Sequence, residues 1–257
     1  MSESMSLNDH RFGVSAFTLK IIAIIFMTID HATYFWYNDI GEPLAVILRS
    51  SGRLTFPIMV FLIAEGYFHT RNKFKYAGRL FVFAIISMGP FYLMENKPWN
   101  VLFKLFVGLS LLIIKDECSS FFDKIDANIW TGLFGVIAFV LSLGLYTFDW
   151  GFAGIFAVYV SGQIKNTKIR ALVIPIILFC GYLIKDFMIV GSFPPVFDFG
   201  PIESYDLLFY MGALFSSIPL LLYNGEKGFS REPYTKYLFY VYYPLHIFII
   251  YMIWSMG

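Results

Sequence analysis

Residues 21–37 read IIAIIFMTIDHATYFWY, an apolar and aromatic stretch in which Asp30 and His31 stand side by side. A helix needs about 20 mostly apolar residues to cross the hydrocarbon core of a bilayer, and this stretch with its flanks has that length. An acid inside such a helix costs on the order of 2.5 to 3.5 kcal/mol to insert, so it persists where it faces a protein interior or a water-filled cavity. The stretch therefore predicts a membrane-spanning helix with a buried polar pair.

The composition extends this interpretation to the whole chain. Of the 257 residues, 58% are hydrophobic and 14% are charged, whereas about 25% are charged in an average soluble domain. The formal net charge of +1 gives no sign of a clustered basic surface, so we expect no nucleic-acid partner. Two cysteines indicate neither a disulfide framework nor a metal site, and we expect no metal. Because lipid leaves helices as the spanning structure for such segments, the predicted fold class is an all-α, polytopic membrane bundle.

Hydropathy and helix-breaking residues predict nine spans in a single transmembrane domain, residues 1–257, with a short cytoplasmic tail at 1–16. The predicted spans are 17–37, 54–69, 80–95, 101–115, 129–148, 150–164, 171–190, 207–223 and 237–254. Residues 44–53 are expected to form an additional half-helix at the membrane interface. The tail has no basic region ahead of the first apolar run, so we expect no cleaved signal peptide.

The distribution of basic residues predicts the orientation of these spans. Cytoplasmic loops of membrane proteins carry an excess of Lys and Arg. The connections on the N-terminal side of the nine predicted spans hold 13 of these residues, and those on the other side hold 3. The bias predicts a cytoplasmic N-terminus and an external C-terminus.

The polar pair in the first span needs partners from other helices, because successive helix residues point about 100° apart. Arg49 and Arg53 share a helical face, and we predict that Arg53 pairs with Asp30. The last span contains YVYYPLH at 240–246, which puts His246 at a depth similar to that of His31. Two histidines and an acid at this depth suit proton transfer, because histidine ionises near neutral pH. The alternative is ordinary inter-helix hydrogen bonding, which contributes about 0.6 kcal/mol per bond.

A second polar group is predicted at the cytoplasmic side. Glu65 and His69 are one helical turn apart and are followed by Arg71 and Lys73, and the sequence YNGEKG lies at 223–228. Glycines let backbone N–H groups approach an anion, and basic residues neutralise phosphates. An Asn-Gly pair is also an ordinary turn, so this pattern alone leaves both interpretations open.

Several motifs, taken in order, resemble those of one family. They are LKIIAII and IDH within 19–31, GRLTFPIMVFLIAEGYFHTRN at 52–72, RLFVFAIIS at 79–87, NVLFKLFVGL at 100–109, YNGEKG at 223–228 and YYPLH at 242–246. In this order and spacing the chain resembles the TraX family, integral membrane proteins that include the F-pilin acetylase, and through it the wider group of transmembrane acyltransferases. Residues 115–215 resemble the family only in hydropathy.

The resemblance implies an acyltransferase of the bacterial cytoplasmic (inner) membrane, surrounded by membrane lipids, with acetyl-CoA as donor. The acceptor is expected to be an amine or hydroxyl, on a protein N-terminus such as that of a pilin or on a glycan or small molecule. His31 is the expected general base or acyl carrier, supported by Asp30. The expected catalytic residues are Asp30, His31, Arg53, Asn100 and His246. The expected donor-binding residues are Glu65, His69, Arg71, Lys73, Tyr223, Asn224, Gly225 and Lys227.

Two other functions stay open at this stage. A proton-coupled transporter would use the same buried Asp and His residues as a relay, although the chain has no pair of inverted halves of the kind that transporters show. A scaffold without chemistry would tolerate apolar residues in place of Asp30 and His31. A requirement for CoA distinguishes the acyltransferase from both.

Overall fold

The computed structural model describes residues 12–122, 125–144, 153–190, 203–229 and 234–257. Within these ranges the regular secondary structure is helical, apart from an isolated bridge between Val14 and Tyr223. The helices are α1 (Ala16–Phe35), α2 (Tyr37–Ile40), α3 (Leu44–Gly52), α4 (Thr55–His69), α5 (Lys73–Ile86), α6 (Met88–Glu95), α7 (Val101–Phe121), α8 (Ala127–Gly144), α9 (Gly154–Ser161), α10 (Thr167–Val190), α11 (Glu203–Phe215), α12 (Ser217–Leu221) and α13 (Tyr234–Met256). The predicted all-α fold class is confirmed.

Four helical segments of the described residues are long and apolar enough to cross a membrane. They are Ala16–Phe35, Leu44–His69, Thr167–Ile184 and Tyr237–Met256. A fifth is obtained if α5 and α6, which meet at an angle of 47°, form one span. The predicted half-helix 44–53 is α3, and it joins α4 to make the second of the four segments. The count of nine spans and the orientation remain predictions.

Two predicted spans are broken in the structure, and prolines explain both breaks. The predicted span 80–95 is divided between α5 and α6, and the predicted span 207–223 is divided between α11 and α12. A proline inside a helix clashes with the carbonyl group four residues earlier. Pro90 follows Ile86 by four residues and Pro219 follows Phe215 by four, and α5 and α11 end at these two residues.

Helix α4 is the centre of the bundle and runs antiparallel to α1. It contacts α1, α7, α9, α10 and α11, and its side chains from Phe56 to Ala64 supply much of the buried apolar core. Near its start, the Thr55 hydroxyl donates to the Ala23 carbonyl oxygen of α1, at 3.1 Å. This packing gives the bundle two ends. We call the end with residues 13–17 and 223–228 the lower end, and the end with Asp30 and His31 the upper end.

Candidate functional site at the upper end

Asp30 is held by two arginines of the α3–α4 segment. The Nη2 atom of Arg53 donates to Oδ2 at 2.8 Å, and the Nε atom of Arg49 donates to Oδ1 at 2.9 Å. Asp30 is 6% exposed and Arg53 is 4% exposed. Arg53 also contacts the Tyr182 hydroxyl at 3.4 Å and lies over the Phe209 ring. The predicted pairing of Asp30 with Arg53 is therefore present, and Arg49 adds a second cation.

Two glycines allow this cluster to form. Gly52 packs so close to Asp30 that a Cβ atom at this position would collide with the Asp30 side chain. Gly212 of α11 packs in the same way against the Ser50 carbonyl oxygen and the Cβ atom of Arg53. The contacts of α3 with α1 and α11 thus depend on the absence of a side chain at both positions.

His31 forms a hydrogen bond with His246 of α13. The Nδ1 atom of His31 lies 2.8 Å from the Nε2 atom of His246, and the two rings are nearly parallel. The Nδ1 atom of His246 lies 2.8 Å from the Tyr242 carbonyl oxygen. His246 is 5% exposed, so the last helix contributes a buried imidazole to this site, as its sequence predicted.

The partners of the two histidines determine where their protons lie. A carbonyl oxygen only accepts hydrogen bonds, so Nδ1 of His246 carries a hydrogen and, in the neutral ring, Nε2 does not. Nδ1 of His31 therefore donates to His246, and the lone pair of neutral His31 is on Nε2. The arrangement resembles hydrolase triads, in which a neighbouring group fixes the tautomer of the histidine that takes the proton.

A tyrosine and a threonine extend the polar chain beside His246. The Tyr242 hydroxyl lies 2.6 Å from the Thr28 hydroxyl, and Thr28 donates to the Ile24 carbonyl oxygen at 2.8 Å. Because the Thr28 hydrogen is used there, Tyr242 is the donor to Thr28. The Tyr242 ring also stacks on His246, which restricts the imidazole on one side.

Asn100, the other predicted catalytic residue, is fully buried and caps α7. Its Oδ1 atom accepts from the Leu102 backbone N–H at 3.0 Å, and its Nδ2 atom donates to the Ala84 carbonyl oxygen at 2.8 Å. These contacts connect the start of α7 to α5. They account for the asparagine structurally and leave its predicted catalytic role untested.

The predicted donor-binding residues divide into several groups at the lower end. The Glu65 carboxylate contacts the buried Arg170 guanidinium and accepts from the Tyr223 hydroxyl at 3.2 Å. His69 lies beside Glu65, with Nδ1 2.9 Å from its carbonyl oxygen. Arg71 is exposed in the link between α4 and α5.

The 223–228 loop, which contains Asn224, Gly225 and Lys227, caps the start of α1. The carbonyl oxygens of Glu226 and Lys227 accept from the backbone N–H groups of Ala16 and Phe17, at 2.9 and 3.0 Å. The Asn224 side chain accepts from the N–H of Glu226 at 3.0 Å, and Gly225 has a φ of 84°. A helix start leaves N–H groups that need acceptors, and this turn supplies two of them. Its predicted contact with phosphate remains a prediction.

Lys73 belongs to a cavity whose other charged residues were not among the predicted site residues. Its Nζ atom lies 2.6 Å from Oδ2 of Asp116, and Nζ of Lys115 lies 2.9 Å from Oδ1. The Tyr67 hydroxyl donates to the same carboxylate at 2.5 Å. Asp116 directly follows the predicted span 101–115. Burial raises the pKa of its carboxyl, but Lys73, Tyr67 and Lys115 together lower the pKa below its usual value.

The match to a known protein family covers nearly the whole helix bundle. A family model described as "TraX protein" matches residues 15–254. The chain belongs to the TraX family. Together with the four or five apolar segments, this membership identifies a membrane protein.

One curated relative matches nearly the full length of this TraX protein. The chain is 31% identical over 253 residues to the "Probable fimbrial assembly protein FimC, serogroup H1" of Dichelobacter nodosus. The alignment covers 92% of this chain and 94% of that protein. No solved structure matches the chain significantly.

Proposed function

We propose that this TraX protein is an acyltransferase of a bacterial cytoplasmic membrane, which moves an acetyl group from cytosolic acetyl-CoA to an amine or hydroxyl. The hydrogen bond between His31 and His246 is the observation that carries the proposal. It gives His31 a fixed tautomer with the lone pair on Nε2, inside a bundle where such a polar pair is costly unless it has a role.

In the proposed reaction, Nε2 of His31 removes a proton from the acceptor while the acceptor nitrogen or oxygen attacks the acetyl carbonyl carbon. The carbon–sulfur bond then breaks, and the CoA thiolate takes the proton from the His31 imidazolium. His246 orients His31 and accepts its Nδ1–H throughout. Arg53 or Asn100 stabilises the oxyanion, a contribution of about 2.7 to 4 kcal/mol for one donor. Asp30 holds Arg53 and Arg49 in place. Because Asp30 and His31 are neighbours in α1, the same contacts fix the position of α1 and so support His31.

The fimbrial assembly relative suggests the acceptor. We propose the N-terminal amine of a fimbrial subunit, presented at the membrane. The test is co-expression of the subunit with the wild type or with a His31→Ala variant, followed by mass spectrometry of the subunit. Acetylation that requires His31 supports the proposal.

A donor measurement separates this function from the alternatives. Calorimetry with acetyl-CoA and free CoA on the detergent-purified protein is expected to show binding. Absence of binding to every CoA species at millimolar concentration would overturn the acyltransferase. Proton movement in proteoliposomes without any thioester would favour the proton-coupled transporter instead.

A further inference from the structure

A polar cavity opens at the lower end between α4, α5, α7 and the link from α9 to α10. It has a volume of about 320 Å³, and its lining includes Tyr67, Lys73, Lys115, Asp116, Gln163 and Lys165. The lining thus includes three lysines and one aspartate, so the cavity carries a net positive charge.

The carboxylate holds two of the lysines in place. Asp116 contacts Lys73 and Lys115 through different oxygen atoms, and Lys73 also lies over the Tyr67 ring, 4.0 Å from its centre. A lysine side chain is flexible and loses considerable freedom when it binds an anion. Side chains that are already fixed lose less on binding, which increases affinity.

Gln163 supplies an unsatisfied donor to the same cavity. Its Nε2 atom is buried and has no hydrogen-bond partner among the described residues, while its Oε1 atom lies 3.5 Å from Nζ of Lys115. A buried donor without a partner destabilises the protein, so such an atom next to cations indicates a ligand that accepts hydrogen bonds.

We infer that this cavity binds the nucleotide phosphates of the CoA donor. The inference rests on the proposed function and gives it a donor site. A phosphate carries negative charge, which complements the lysines. Its oxygen atoms accept hydrogen bonds, and the Nε2 atom of Gln163 lacks such an acceptor. Tyr67 lies about 18 Å along α4 from Thr55, at the start of the helix near Arg53, so the extended pantetheine arm of CoA would run from this cavity towards His31.

The inference changes which residues are expected to hold the donor. Lys73 is common to the sequence prediction and the cavity, whereas Lys115, Gln163 and Lys165 are new. The 223–228 loop caps the start of α1, and its predicted contact with phosphate remains a prediction.

The test is calorimetric binding of four probes to the full-length protein: acetyl-CoA, CoA, dephospho-CoA and adenosine 3′,5′-bisphosphate, which has no pantetheine arm. The variants are the double change Lys115→Gln with Lys165→Gln, and Lys115→Arg, which keeps the charge. Lys75→Gln is the matched control, because Lys75 is an exposed lysine outside the cavity lining. Thermal unfolding of each variant confirms that it folds.

The expected result is binding of the bisphosphate and acetyl-CoA by the wild type, weakened at least about tenfold in the double variant, since that variant loses two charged donors to phosphate. Lys75→Gln should bind like the wild type, and Lys115→Arg should bind more tightly than the double variant because it keeps the charge. Dephospho-CoA should bind less tightly than CoA.

Three other outcomes would overturn the inference. If the double variant binds acetyl-CoA as tightly as the wild type, the cavity is not the donor site, although the proposed function stands. If the wild type binds no CoA species, the proposed function fails together with the donor site. If the bisphosphate does not bind, but phosphatidylglycerol in nanodiscs stabilises the wild type and not the double variant, the cavity holds a lipid headgroup.

Discussion

His31 and His246 are 215 positions apart in sequence, yet their Nδ1 and Nε2 atoms lie 2.8 Å apart where α1 meets α13. The contact joins the first and the last long helix of the bundle. Since the Tyr242 carbonyl oxygen accepts from Nδ1 of His246, Nε2 of His246 accepts from His31, and we propose that His31 takes the proton of the acceptor.

Substitution of His246 tests this division of roles. His246→Leu removes the acceptor, and we expect acetyl transfer to fall by about 10²- to 10⁴-fold, the usual contribution of acid–base catalysis. His246→Gln retains an oxygen that accepts from Nδ1 of His31, so it should keep more activity. Steady-state kinetics should show the loss in kcat, with the KM for acetyl-CoA little changed. Equal losses in both variants would mean that His246 does more than orient His31.

Gly52 is predicted to be essential to the packing of α3 on α1. A Cβ atom at this position would collide with Asp30, so Gly52→Ala should lower the free energy of unfolding by about 1 to 3 kcal/mol, the range for overpacking. It should also lower transfer activity, because Asp30 and Arg53 must move.

Gly78→Ala is the matched control for Gly52→Ala. A Cβ atom at Gly78 would meet nothing within 4 Å, and alanine in a helix interior gains about 0.5 to 1 kcal/mol over glycine. Reversible unfolding in mixed detergent micelles measures both changes. A Gly52→Ala variant as stable as the wild type would contradict the close packing described for α3.

The helical fold and the pairing of Asp30 with Arg53 were predictable from local sequence. Apolar runs give the helices, and an acid inside such a run requires a cation from another helix. The sequence also indicated that His31 and His246 lie at a similar depth. Their hydrogen bond was not predictable, because it depends on which faces of α1 and α13 meet.

Arg170 and Asp116 show why other site residues were missed. Each lies at the end of an apolar run, where a charged residue is ordinarily a topology signal. Only the packing of α10 on α4 reveals that Arg170 is buried against Glu65. Asp116 likewise gains its role from lysines that are 1 and 43 positions away.

Glu65 and Arg170 should contribute to the free energy of unfolding as a pair, so that the effects of substituting them are not additive. Arg170 is 0% exposed, so Glu65→Gln leaves a buried guanidinium without its counter-charge, and we expect a loss of about 3 to 5 kcal/mol in stability. Combining Glu65→Leu with Arg170→Met should recover much of this loss, since apolar replacement of a whole buried pair is often neutral.

Tyr223→Phe provides a graded control for the Glu65 variants. It removes only the hydroxyl that donates to Glu65, and it should cost about 1 kcal/mol. Unfolding of the four proteins under the same conditions gives the comparison. A Glu65→Gln loss no larger than that of Tyr223→Phe would contradict a buried, coupled pair.

Asp116 should make stability depend on pH in the acid range. Its folded pKa lies below its ordinary value of 3.8, because Lys73, Tyr67 and Lys115 outweigh the effect of burial. A carboxyl with a lowered folded pKa contributes stability that is fully present above its ordinary pKa and is lost as the pH falls through the folded pKa. The stability difference between the wild type and Asp116→Asn should therefore be constant near neutral pH and shrink below pH 3.8.

Thermal unfolding across this pH range measures the difference, with the exposed Glu117→Gln as the control for removing one acidic side chain. A difference that stays constant throughout, or grows on acidification, would show that the lysines do not stabilise the Asp116 carboxylate.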